Sequence, residues 1–316
     1  MKKKFNVVIA GSNGMVGSAV YRTLLSSDKY FPVELNRHIA DITQPFDVKN
    51  FLRLTSPDII INCAAKVGGI NANNTYPADF IRDNLKININ LIDAAYEYGV
   101  ERFINLGSSC IYPRDASQPL KENSLLTGPL EKTNDAYALA KIAGLEMCRH
   151  YRNQYGVYYH SLMPTNLYGD NDNYHLKDSH VLPALIRKIH EAKVSGMSAV
   201  QMWGTGEAKR EFLHANDVAD AIIFLLDQKD LPDIINIGTG SDLKISELAN
   251  LIKNIIGFKG DFIYNTDMPD GTPVKRLDMS IMNSLGWKPK IDLKTGLKLA
   301  YKDYLKRLEN KTLRGL

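Results

Sequence analysis

Short apolar runs alternate along the first half of the chain with longer stretches whose apolar residues recur every three to four positions. The run Phe5–Ala10 reads as a buried strand, and residues 16–25 follow with helical spacing. Residues 31–35 give a second strand pattern and residues 47–54 a short helix. Residues 58–65, "DIIINCAA", are apolar almost without interruption, as suits a strand covered on both faces. A long helix is expected over 77–98, with Pro77 suited to its first turn. A fourth strand over 102–106, a second long helix over 136–155 and a fifth strand over 159–163 complete the pattern. The alternation predicts an α/β fold built on a doubly wound parallel sheet.

Beyond residue 165 the pattern loosens, and loop-rich stretches such as 168–173, "YGDNDN", appear. Apolar elements return at 200–203, 218–226 and 234–237, and a helical pattern covers 293–308. The expected division is a dinucleotide-binding domain over 1–165, with later strands and helices around 200–240 returning to it. Residues 166–316 then form mainly a smaller C-terminal α/β substrate lobe. There is no internal repeat and no low-complexity linker.

The turn after the first strand reads Gly11-Ser12-Asn13-Gly14-Met15-Val16-Gly17. The first glycine permits a tight turn, the second a close approach of backbone to a pyrophosphate, and the third close helix–strand packing. The helix N-terminus then faces the anion. Three glycines alone are a weak signal, but here they sit at the strand–turn–helix junction that the mechanism requires. The sheet is therefore of Rossmann type. Arg37, just after the second strand, favours NADP through a 2′-phosphate; Glu34, inside that strand, leaves a ribose contact open. Asp41 caps its turn or contacts the adenine side.

Composition narrows the class further. The chain is 44% hydrophobic and 23% charged, with a formal net charge of +4, a mild excess that suits a small anionic ligand. The run Lys2-Lys3-Lys4 reads as a solvated leader, so no nucleic-acid partner is expected. Three cysteines make neither a disulfide framework nor a zinc site, and reduced thiols in the cytoplasm are the natural reading. No metal is expected. No apolar stretch approaches the ~18 residues of a membrane span, and no signal peptide is evident.

Two further features suggest chemistry. Tyr137 and Lys141 stand four residues apart on an expected helix and share a face. A ketone that accepts hydride develops negative charge on oxygen. A phenol can supply the proton if a neighbouring ammonium draws its pKa down from about 10. A serine hydroxyl at a strand end gives a second hydrogen bond to that oxygen. Ser108, in "LGSSCIYP" (106–113), is the candidate. Cys110, taken alone, is a strand-end thiol, and Cys63 and Cys148 read as core thiols.

The glycine loop, the strand-end serine and the Tyr-x-x-x-Lys helix together resemble the extended short-chain dehydrogenase/reductases. Longer stretches narrow the resemblance: "AAKVGGINANNTYPADFIRDN" (64–84), "YALAKIAG" (137–144), "MPTNLYGDNDN" (163–173), "SHVLPALIRKIHEA" (179–192), "REFLH" (210–214) and "PDGTP" (269–273). With "LGSSCIYP", they are similar to the GDP-L-fucose synthase family over nearly the whole chain. That resemblance implies NADPH-dependent reduction of the C4 ketone of a GDP-4-keto-6-deoxy-hexose, preceded by epimerisation at C3 and C5. It implies Ser108, Tyr137 and Lys141 as the reductase triad, and Cys110 and His180 as base and acid of epimerisation. The implied cofactor contacts are Gly11 to Gly17, Arg37, Asp41, Ala64, Ala65, Lys66, Leu106, Gly107, Ser109, Lys141, Pro164, Thr165, Asn166, Leu167 and His180. The implied GDP-sugar contacts are Lys188, Trp203, Arg210, Asp270 and Lys275. A homodimer through the helices over 77–98 and 136–155 is also implied.

Two positions depart from the family. Lys188 stands where an arginine is usual, and a lysine cannot make the bidentate fork to a diphosphate. Asn13 stands in the glycine loop where relatives often carry an arginine. Two other functions remain open at this point. One is a C4 reductase without epimerase activity, acting on a related GDP-4-keto-deoxy-hexose or heptose. The other is a non-catalytic NADP-binding regulator, which would have no need of Ser108, Tyr137 and Lys141 together.

Overall fold

Six parallel strands form the central sheet in the order Ile234–Ile237, β5 (Tyr158–Pro164), β4 (Arg102–Leu106), β3 (Ile59–Asn62), β1 (Phe5–Ala10), β2 (Tyr30–Leu35). The structure is a computed structural model that describes residues 4–267 and 270–316. Lys2, Lys3 and Pro269 lie outside the described residues. Alternate residues of β1 supply opposite faces: Val7 and Ile9 join one core, Val8 and Ala10 another. Helices α1 (Met15–Leu25) and α7 (Ala215–Leu226) pack on the first face. Helices α2 (Pro45–Thr55) and α4 (Pro77–Glu97) cover the second, with α5 (Asp135–Tyr155) alongside α4. Pro77 opens α4 at its first turn, and Gly156, at φ 72°, ends α5 in the left-handed conformation that glycine tolerates.

The doubly wound sheet is as the sequence pattern predicts. The third strand is shorter than expected. It ends at Asn62, and Cys63 to Ala65 leave the ladder because the Asn62 carboxamide accepts the Ala64 N–H at 3.1 Å and turns the chain. The same asparagine starts a buried polar chain. Asn62 Nδ2 donates to Asn105 Oδ1 at 3.1 Å and to Asn88 Oδ1 at 3.5 Å. Asn88 Nδ2 in turn donates to the Ala140 carbonyl of α5 at 3.0 Å. Gly144 makes room for this: a Cβ there would lie 2.5 Å from Asn88 Nδ2.

The second core lies between α6 (Val181–Val194), α8 (Ile245–Ile256) and α10 (Leu293–Glu309), roofed by the paired strands Ala199–Trp203 and Asp261–Asn265. Three two-residue strands, Leu243–Lys244, Lys209–Arg210 and Val274–Lys275, form a small sheet at the mouth between the two cores. Strand Ile234–Ile237 joins the central sheet from beyond residue 200, parallel to β5.

A loop over 170–175 is held by residues near the C-terminus: Arg314 Nη1 donates to the Asn171 carbonyl, and the Arg314 carbonyl accepts the Tyr174 N–H at 2.9 Å. Within that loop Asp172 is buried, and its carboxyl is pushed up to about 7 from an ordinary 3.8, chiefly by burial. A carboxyl with a folded pKa above its unfolded value loses native stability as pH rises from the unfolded value through the folded one. Asp172→Asn keeps an acceptor for the Asn173 N–H and removes the ionisation. It is expected to raise Tm by a few degrees at about pH 8 and to leave it unchanged near pH 4, as thermal unfolding at the two pH values would show.

Candidate active site

The glycine turn is built as the sequence pattern demands. Gly11 has φ 81°, and a Cβ there would meet Ala64 Cα at 2.9 Å. A Cβ at Gly17 would sit 2.1 Å from the Gly11 carbonyl, so helix α1 can approach the turn only with glycine there. Gly14 is the N-cap of α1 and brings no side-chain cap, which leaves first-turn N–H groups for an anion. Ser12 is buried and accepts from Asn36 Nδ2 at 3.2 Å, a contact at the end of β2 that the sequence pattern did not single out. Asn13 is exposed, and its carbonyl accepts from Asn171 Nδ2 at 2.7 Å. Arg37, two residues past the end of β2, is exposed. Asp41 accepts from the Thr43 N–H and hydroxyl, so its carboxylate caps its own turn and is held below its ordinary pKa by those bonds.

Ser108, Cys110 and Tyr137 come together at the C-terminal end of β4. Ser108 caps a short 3-10 turn, Ser109–Ile111, and its hydroxyl accepts the Cys110 N–H at 3.2 Å. The Tyr137 phenol, on the first turns of α5, neighbours Ser108 and feels Cys110. Lys141, one turn later, is buried and donates to the Leu106 carbonyl at 2.7 Å. Gly107 leaves room for Met163: a Cβ there would lie 2.3 Å from Met163 Cε and push that side chain aside.

The electrostatics of this cluster differ from the expectation that Lys141 draws the phenol down. Burial pushes the Tyr137 phenol above its ordinary value, Cys110 pushes it further, and Ser108 only partly opposes them. Lys141 is lowered to about 8 by burial, with Cys63 and Cys110 opposing. Cys110 moves the other way. Burial raises the thiol, but the Lys275 charge and hydrogen bonds from Ser108, Lys275 and Asn134 outweigh it, and its pKa falls below the ordinary value. Asn134, the N-cap of α5, donates to Cys110 Sγ at 3.3 Å. Its place just ahead of "DAYALAK" was the available signal, and the sequence reading missed it.

His180 is the N-cap of α6 and is open to solvent. It is enclosed enough that burial, then the Lys275 charge, lowers its pKa. The approach to it is set by Gly69, whose N–H donates to the Asp178 carbonyl at 2.7 Å and where a Cβ would meet the Ser179 carbonyl at 2.5 Å. Glycines 68 and 69 in "AAKVGGINANN" thus seat this loop against the segment that leads into His180. Ala64 and Ala65 lie at the end of β3 beside Gly11, while Lys66 turns its ammonium to Asp83 and Asp79 on α4.

Pro164 ends β5. Thr165 is buried and its hydroxyl donates to the Glu211 carbonyl at 3.2 Å, as Asn166 Nδ2 does at 2.9 Å. Leu167 sits on a short strand paired with Phe212–His214. The positive groups of the lobe converge at the mouth. Arg210 Nη1 donates to the Thr272 carbonyl at 2.5 Å, and Lys275 pairs with Arg210 in register. Further out, Lys188 Nζ stands 5.3 Å from the centre of the exposed Trp203 ring. Asp270 spends both carboxylate oxygens on Thr205, so it shapes the loop beside Trp203. Among the described residues no His, Cys, Asp or Glu cluster could hold a metal ion.

Residues 7–238 match the model of the NAD dependent epimerase/dehydratase family. The chain belongs to that family. It is 50% identical over 312 residues to a putative GDP-L-fucose synthase 2 of Arabidopsis thaliana, covering 98% of this chain and 95% of that one. Among solved structures, a GDP-6-OMe-4-keto-L-xylo-heptose reductase from C. jejuni matches with a TM-score of 0.90 and 35% identity, over 97% of this chain and 99% of the other. A GDP-mannoheptose C4 reductase from Campylobacter jejuni with NADP bound matches with a TM-score of 0.86 and 36% identity, over 96% and 99%.

The cluster's electrostatics lead to a chemical expectation. Burial pushes Cys63 and Cys148 up to about 12, whereas Cys110 is lowered. Iodoacetamide at neutral pH should therefore alkylate Cys110 at least about tenfold faster than either other thiol. Peptide mass mapping over time reads this directly, and equal labelling of Cys63 would contradict it.

Proposed function

We propose that this family member is an NADPH-dependent reductase of a GDP-4-keto-6-deoxy-hexose that first epimerises C3 and C5. The observation that carries the reading is the meeting of a lowered thiol and a protonated phenol around one serine hydroxyl. Reduction and epimerisation act on neighbouring carbons of one sugar, so their acids and bases must share one place.

The glycine turn, with α1 behind it, fits a pyrophosphate. Arg37, exposed just past β2, is the residue we assign to a 2′-phosphate, and the NADP-bound relative supports that choice of cofactor. Pro164 to Leu167, Lys141 and His180 line the proposed cofactor side of the cleft. When bound, NADPH supplies the hydride that adds to C4. Tyr137 donates its proton to the resulting alkoxide, and Ser108 holds the same oxygen by hydrogen bond. A phenol raised by burial stays protonated at neutral pH and so remains loaded as the acid.

Before reduction, the C4 ketone acidifies the hydrogens on C3 and C5. The Cys110 thiolate removes one of them, and the electron pair of the broken C–H bond moves into the enolate. His180, in its imidazolium form, returns a proton from the opposite face; the Cys110 thiol then gives its proton to solvent and His180 takes one up, which restores both groups for the second centre. Arg210 and Lys188 supply positive charge for the diphosphate, Lys275 faces the sugar beside Cys110, and Trp203 offers an exposed ring. The Arabidopsis relative, a putative GDP-L-fucose synthase, supports the first reading; the heptose reductase keeps plain C4 reduction as the second. We also infer a homodimer through α4 and α5, supported by the exposed apolar side chains Ile89, Tyr96, Leu139 and Tyr155 on those helices. A cytoplasmic setting is supported by three free thiols.

Tyr137→Phe keeps the ring and removes the proton. Reduction is expected to fall by roughly 10²–10⁴-fold, with substrate binding retained, in steady-state NADPH oxidation against equilibrium binding. Near-normal turnover would sink the triad.

The two readings separate in D₂O without NADPH. A GDP-4-keto-6-deoxy sugar should take up deuterium at C3 and C5 in the wild type, as NMR would show. Cys110→Ser should abolish that uptake and still reduce a substrate already in the product configuration. A wild type that reduces its substrate but incorporates no deuterium is a plain C4 reductase.

A further inference from the structure

We propose that Lys275, from the lobe facing Cys110, holds that thiol as the thiolate and so sets the strength of the epimerisation base. The inference rests on the reading of Cys110 as that base. Lys275 Nζ lies 3.5 Å from Cys110 Sγ, within hydrogen-bond range of a sulfur acceptor. That is its side-chain hydrogen bond among the described residues, where it forms no ion pair, so no protein carboxylate competes for the ammonium.

Other charged and titratable groups face the sulfur. Tyr137 and Lys141 come from α5, Arg210 from its strand, and His180 shares the field of Lys275. Each of the other cations is committed elsewhere: Lys141 to the Leu106 carbonyl, Arg210 to the carbonyls of Lys209 and Thr272. Asn134 adds a neutral donor. Lys275 is thus the ammonium directed at the thiol.

Its backbone is fixed on both sides. Three residues before, the Thr272 carbonyl accepts from Arg210, and the Pro273 carbonyl accepts the Lys209 N–H at 2.8 Å. Two residues after, the Leu277 N–H donates to the buried Glu211 carboxylate at 2.8 Å. Parallel pairing of Val274 with Lys209 and Lys275 with Arg210 sets the register between. The base therefore stands on the central-sheet side and the cation that tunes it on the lobe side. Lys275 acts here as a positioning residue, through the sulfur.

The test is the pH profile of Cys110 alkylation by iodoacetamide, without substrate or cofactor, in wild type, Lys275→Met and Lys275→Arg. An opposite charge at this distance lowers a pKa by roughly one to three units. In Lys275→Met the midpoint should rise by about one unit or more, and alkylation at neutral pH should slow by roughly tenfold. Lys275→Arg should restore most of the wild-type profile, which a merely structural role would not predict. Solvent exchange at C3 in Lys275→Met should recover as pH is raised. A Lys275→Met profile superimposed on the wild type overturns the inference, as does an equal shift in the Met and Arg variants. An unchanged profile beside lost exchange in Cys110→Ser overturns this inference alone. A shifted profile beside retained exchange in Cys110→Ser removes the base assignment and leaves the Lys275–Cys110 pair standing.

Discussion

The carboxylate of Glu211 is completely buried, and the geometry of the cleft depends on what it gathers. It accepts N–H groups from Thr239 and Gly240, just past the sixth sheet strand, and from Leu277, just past the strand that carries Lys275. Its own backbone carbonyl takes the Thr165 hydroxyl and the Asn166 amide at the end of β5. One residue thus joins the end of the central sheet to the mouth of the second core. Burial pushes this carboxyl up, and the hydrogen bonds to Leu277, Gly240, Thr239 and Thr165 oppose it. Removing such an acceptor would leave several buried donors without partners, each at a cost of about 1–3 kcal/mol.

The same opposition of burial and neighbours differentiates the groups in the cleft. Tyr137 and Cys110 are acids a few side chains apart, and enclosure raises both. The phenol has one weak helper in Ser108, and its pKa ends higher than in water. The thiol has three donors, one of them the Lys275 cation, and ends lower. Two acids that start close together in water are thereby assigned opposite duties, one to keep a proton and one to lose it.

Much of this architecture was legible in the amino-acid sequence, because period and punctuation are local properties. The glycine turn could be placed because Gly11, Gly14 and Gly17 fall where strand meets helix, and the long helices because Pro77 and Gly156 mark ends. The end of β3 was not legible, since it depends on the Asn62 side chain folding back onto Ala64. The direction of the Tyr137 shift was not legible either, because enclosure is a property of the packed chain. Glu211 in "REFLH" looked like one more charged residue among apolar ones. The bonds of Asp270 to the Thr205 N–H and hydroxyl, which hold its loop, left no trace in the sequence either. Side chains that serve backbone groups distant in sequence leave no period to read.

The buried asparagine chain ties the chemistry to the helices. Asn88 of α4 grips the Ala140 carbonyl, one residue before Lys141, across the gap that Gly144 leaves open. Tyr137 and Lys141 therefore do not slide along the sheet with α5 alone. A one-turn slip of α5 against α4, about 5.4 Å, would strand a carboxamide in an apolar core and move the phenol away from Ser108 in the same motion. The register of two helices, more than any contact inside the cleft, indexes the Tyr137 phenol against Ser108.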